Sequence, residues 1–152
     1  MTKLTHSGQS EEQGRAAIVA EARTWLGTKY HPGARLKGVG VDCGMLIAEV
    51  YERAGIIAHM EIPPYPADWH KHRKDEKYLG FVLSEGRFIA PGQQKPGDVA
   101  MWKFGHVRSH GGIIVEWPKI IHATLQERIV WLCDVSDDVR YGTKDVQFYS
   151  YW

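Results

Sequence analysis

The sequence predicts an α+β domain, with helices first and a mostly antiparallel sheet after them. Two observations carry this. Two amphipathic stretches, "SEEQGRAAIVAEARTWLG" and "CGMLIAEVYERAG", occupy the first third of the chain. Short β-branched and aromatic runs then fill the second half: "PGDVAMWKF", "SHGGIIVEW", "KIIHAT", "RIVWLC" and "DVQFYSYW", each set off by turn residues. A length of 152 residues, without an internal repeat or low-complexity tract, fits one domain over 1–152.

The elements follow in order. Residues 1–9 are polar and are expected to fray. Ser10, with Gln13 three residues on, has the form of a capping box, so a helix should start there. Ile18, Ala22, Trp25 and Leu26 share one face of it, and Gly27 is placed to end it. The loop "TKYHPGARLKGVGV" is rich in glycine, which suits tight turns or close backbone approach. In the next helix Ile47, Val50, Tyr51 and Ala54 form the apolar stripe, and Gly55 stops it. Three prolines in "IPPYPADWH" exclude regular structure up to Ala67. A polar third helix is expected from Asp68 to Gly86, anchored by Trp69, Leu79, Val82 and Leu83.

Composition narrows the function classes. A formal charge of +1 gives no broad pull toward nucleic acid or an acidic membrane. No run approaches the roughly 18 apolar residues that a membrane span needs. "MTKLTHSGQSEEQG" lacks the apolar centre of a secretory signal, so the chain is expected to stay soluble where it is made, or to leave by assembly into a particle or by lysis. Cys43 and Cys133 are expected to be free thiols, since one long-range pairing is not a disulfide framework.

Cys43 is the candidate nucleophile. With Asp42 as N-cap it falls in the first helical turn, where unpaired amides and the helix dipole favour a thiolate and can hold an oxyanion. Gly44 is expected to keep the approach to sulfur open. A thiol at a loop-to-helix joint can equally be a small buried apolar residue, so the rest of the chain must decide. A nucleophilic cysteine needs a histidine base and a third group to orient it. Of eight histidines, His110 and His122 lie in the strand-rich half. An odd-length loop centred near Trp117 would set them on one sheet face as diagonal neighbours, about 7–8 Å apart at the backbone. His110 is then the base and His122 its orienter, with His106 as rival. Zinc at Cys43, His110, His122 and Cys133 is disfavoured, because spacings of 67, 12 and 11 residues contain no metal-ligand pattern. "HKH" at 70–72 reads as solvated, so neither metal nor cofactor is expected.

Five segments, "LGTKY", "VDCGML", "KPGDVAMW", "SHGGIIV" and "IIHA", together resemble the NlpC-type cysteine peptidases of cell-wall peptides, in that family's order. The resemblance runs from Trp25 to Ala123, apart from an insertion over 56–95. "GTKYHPGARLKGVGVDC" and "PPYPADWH" look like the branch of this family found in bacteriophage tails, which implies other tail proteins as partners. The resemblance implies a papain-like fold, with Cys43 as nucleophile, His110 as base and acid, and His122 as the group on the other nitrogen of His110. It further implies that Tyr30 lines the site and that Asp42 holds the free amine of a peptidoglycan stem peptide. The implied reaction is hydrolysis of a γ-D-glutamyl–diamino acid amide through a thioester. Gly44-Met45 stands where the family has Ser-Gly, which bears on substrate preference more than on reaction type. A thiol amidase or acyltransferase, and a tail component with a vestigial site, are the other readings.

Overall fold

The computed structural model describes residues 2–59, 80, 82–104, 107–142 and 145–152. Helix α1 covers Glu11–Arg23, and its capping box is complete: Ser10 Oγ accepts from Gln13 N, and Gln13 Oε1 accepts from Ser10 N. Helix α2 covers Cys43–Arg53, and Gly55 follows with φ +80, the left-handed conformation that ends a helix most easily at glycine. Between them a small hairpin pairs β1 (Arg35–Leu36) with β2 (Gly40–Val41).

The main sheet comprises β3 (Arg87–Ile89), β4 (Val99–Phe104), β5 (Val107–Glu116), β6 (Lys119–Ala123), β7 (Val130–Asp134) and β8 (Val146–Ser150). Its spatial order is β3-β8-β4-β5-β6-β7, and all five pairings are antiparallel. This is the α+β arrangement that the order of elements predicts, and the papain-like one that the resemblance implies.

Because side chains alternate along a strand, the sheet has two distinct faces. One bears Val99, Met101, Ile113, Ile121 and Tyr149 and packs with Ile18, Ala22 and Trp25 at α1 and with Leu46, Ile47 and Val50 of α2. The other bears Ala100, Trp102, Ile114, Ile120, Cys133 and Phe148. A 3-10 turn (Val135–Asp137) and a one-turn helix α3 (Val139–Gly142) cover it, contributing Val135 and Tyr141.

Three expectations need correction. Residues 3–9 do not fray: His6 N and Ser7 N donate to Ile56 O and Gly55 O, Thr5 is buried, and Lys3 Nζ lies 3.7 Å from the centre of the Tyr151 ring. Polarity hid this, because the partners lie far away in sequence. Leu26, counted on the buried face of the first helix, is exposed, since that helix ends at Arg23 and the chain turns away. The loop between β5 and β6 has two residues, not an odd number: Glu116 pairs with Lys119, and the register shifts between Ile114 and Glu116. The extra residue, Val115, restores the odd spacing, so the diagonal relation of His110 and His122 survives for a different reason. Residues 68–79 and 81 of the expected third helix, and 60–67 before it, lie outside the described residues; 80 and 82–84 are helical.

Candidate active site

Asp42 builds the entry to α2. Its Oδ1 accepts from Met45 N at 2.9 Å, the N-cap bond, and its Oδ2 accepts from Gly33 N at 2.7 Å. One carboxylate therefore starts the helix and fastens the glycine-rich loop to it. Asp42 is 0% exposed, and both of its oxygens accept backbone N–H bonds. Tyr30 forms a parallel bridge with Val41, donates its backbone N–H to Arg128 O at 2.8 Å, and packs its half-buried ring on the core.

Cys43 is the first residue of α2 and is partly exposed, while Gly44 is buried in the first turn. The helix meets the sheet at β5: a Cβ on Gly111 would lie 3.0 Å from Ile47 Cδ1, so a larger residue there would push against α2. Ile47 is one helical turn beyond Cys43 on the same helix face. Gly111 is the residue after His110, so the strand presents Gly111 to α2 and the His110 side chain to the other face, beside Trp102.

The two histidines come together. His110 Nε2 lies 2.7 Å from His122 Nδ1, and the ring centroids are 5.0 Å apart. His122 is fully buried and stacks on Trp131, its cross-strand partner, at 5.7 Å and 30°. Burial lowers the His110 pKa to about 4, with the Arg140 charge adding to the effect. Burial lowers that of His122 to about 3, assisted by His110 and Arg140. Both rings are therefore neutral near pH 7, the state in which an imidazole can accept a proton. His122 Nε2 is buried without a hydrogen-bond partner. Of the other histidines, His31 Nδ1 meets Pro32 O and His59 Nδ1 meets Glu52 Oε2, both at the surface; His70, His72 and His106 lie outside the described residues.

The sequence pattern of the NlpC/P60 family matches residues 27–140, three quarters of the chain. The chain belongs to the NlpC/P60 family. Solved structures agree. NlpC2 from Trichomonas vaginalis superposes with a TM-score of 0.65 at 20% identity, over 92% of this chain and 46% of its own. The NlpC/p60 domain of the peptidoglycan hydrolase SagA superposes at 0.59 with 25% identity, over 88% and 96%. RipD from Mycobacterium tuberculosis, described as a non-catalytic NlpC/p60 protein adapted to peptidoglycan binding, superposes at 0.58 with 13% identity, over 90% and 96%. This chain thus spans less than half of the first and nearly all of the other two. No curated protein matches the sequence.

In this NlpC/P60 domain the surroundings of the histidine pair escaped the sequence reading. Tyr141, Trp102 and Trp131 all touch one or both imidazoles, yet they come from α3, β4 and β7. No local pattern marks them, since only the sheet order makes them neighbours.

The two thiols differ in a measurable way. Cys133 is 4% exposed, and burial pushes its pKa up to about 11, so only about a thousandth is thiolate near pH 8. Iodoacetamide at pH 6 should therefore label Cys43 well before Cys133, as peptide mapping by mass spectrometry would show. Equal slow labelling of both would count against an accessible nucleophile at Cys43.

Proposed function

We propose that this domain is a cysteine endopeptidase of peptidoglycan stem peptides, cleaving the γ-D-glutamyl–diamino acid amide bond. The observation that carries the reading is the histidine pair at 2.7 Å on β5 and β6, with Cys43 heading the helix that packs against the same two strands from the opposite face. With Nε2 of His110 turned to His122, Nδ1 is the nitrogen that serves the thiol. His110 then carries its proton on Nε2 and donates it to His122 Nδ1, and His122 carries its own on Nε2.

In this reading Cys43 Sγ–H passes its proton to His110 Nδ1 as sulfur attacks the γ-carbonyl carbon. Backbone N–H groups of the first turn of α2 face the developing oxyanion. As His110 becomes an imidazolium, its Nε2–H bond to His122 becomes charge-assisted and strengthens. Collapse of the tetrahedral intermediate expels the diamino-acid amine, which takes the proton from His110. Water then attacks the thioester, giving its proton to His110, and the carboxylic acid leaves as the thiol is re-formed. Tyr30, next to the Asp42-capped entry, lines the groove, and Gly44-Met45 tunes which peptide fits.

The bond specificity draws on the family, and SagA, a peptidoglycan hydrolase, is similar over almost its whole domain. Association with a bacteriophage tail is supported by "GTKYHPGARLKGVGVDC" and "PPYPADWH" alone. The test is digestion of purified muropeptides followed by mass spectrometry. New termini between D-glutamate and the diamino acid are expected. Retention of muropeptides without cleavage would instead match the non-catalytic behaviour described for RipD.

A further inference from the structure

We propose that Tyr141 is a positioning residue for His110, its ring setting the plane in which the imidazole works. The inference rests on the reading of His110 as the base. A hydrogen bond fixes an imidazole at one atom, and a flat neighbour fixes the plane of its ring. The Tyr141 ring lies along His110 at 5.6 Å and 29°, and meets His122 at 5.5 Å and 62°. It also packs on Trp102 at 5.1 Å, and Trp102 is itself 6.1 Å from His110. Tyr141 is 5% exposed, so it excludes water from the pair as well. The residue stands immediately after the stretch matched by the family pattern, which ends at 140.

The segment that delivers Tyr141 is tied down on both sides. Val135 N donates to Pro118 O, in the turn that joins β5 to β6. Tyr141 N donates to Asp138 O at 3.0 Å. Arg140 holds Asp138 through Nε at 2.9 Å and reaches Glu127 Oε1 through Nη2 at 2.6 Å. Thus α3 is clamped to the loop between β6 and β7 by charge-assisted bonds, and a clamped element can hold a ring at a fixed angle. Among the described residues, the charged or titratable groups acting on the pair are Arg140 of α3, Asp138 before it and the two histidines themselves.

The experiment compares Tyr141→Met, which fills similar space without a flat face, with Tyr141→Phe, which keeps the face. Two readouts are used: muropeptide turnover, and the titration of the His110 ring followed by nitrogen-15 NMR in the resting protein. For Tyr141→Met, kcat should fall about tenfold with KM changed less than about twofold. The His110 midpoint should rise from about 4 by about one pH unit or more as water gains access. Tyr141→Phe should restore both. Glu127→Gln, which loosens α3 without touching a ring, should move both the same way by less. Removing that negative charge by itself lowers a histidine pKa, so a rise reports α3 moving away, as water enters or the Arg140 guanidinium retreats. An unchanged titration in folded Tyr141→Met and in Glu127→Gln, or no rescue by Tyr141→Phe, overturns the proposal. Because the titration needs no substrate, a wild type without turnover would sink the enzyme reading and still leave this result legible.

Discussion

Cys43→Ala is expected to remove muropeptide cleavage, and His110→Ala to lower kcat by about a thousandfold, within the range that a positioned acid–base group supplies. His122→Ala should cost about a hundredfold, because it misplaces the base without deleting it. The graded order follows from the geometry. His122 meets His110 at 2.7 Å and is fully buried, so in the proposed mechanism it would act through His110. His122→Asn, whose carbonyl oxygen can accept from His110 Nε2–H, should recover part of the loss. Steady-state kinetics on one purified muropeptide would measure all four variants. A greater loss for His122→Ala than for His110→Ala would show that the two roles have been exchanged.

Arg15→Ala should destabilise the fold by about 3–5 kcal/mol, the cost of stranding a buried charge. The charge is Asp98, 0% exposed, whose Oδ1 takes Arg15 Nη1 at 2.8 Å. Its Oδ2 accepts from Lys95 N at 2.8 Å, so the carboxylate also shapes the turn into β4. Arg15 does more than pair with it. It donates to Pro96 O and Ser150 Oγ, bonds Glu11 one turn back, and lies 4.7 Å from the centre of the Trp152 ring. One guanidinium therefore joins α1 to the start of β4 and the end of β8. Urea denaturation followed by circular dichroism would measure the loss, and a change below about 1 kcal/mol, the ordinary worth of an exposed ion pair, would mean the site is better solvated than its burial indicates.

Local chemistry made much of this domain legible in advance. Ser10 with Gln13, and Asp42 before Cys43, are signals complete within four residues, and both caps stand where they were expected. Gly55 likewise ended α2 because a left-handed residue was needed at that point. The strands of the second half were readable because β-branched runs bounded by turns have few other uses. What was misread depended on distant partners. Residues 3–9 look like a frayed tail until Gly55, Ile56 and Tyr151 stand beside them.

The sequence by itself determined the kinds of element, the helix entry that carries Cys43, and the pairing of His110 with His122 across one hairpin. These rest on spacing and capping, which act over a few residues. The tertiary structure alone decided that α3 would fold back over the second sheet face and lay Tyr141 on His110. It also decided that Trp102 and Trp131 would complete the surroundings of the imidazoles, and that burial would push both of their pKa values down. Stacking and desolvation depend on which strands become neighbours, and strand order is written in the packing of the whole sheet rather than in any stretch of residues.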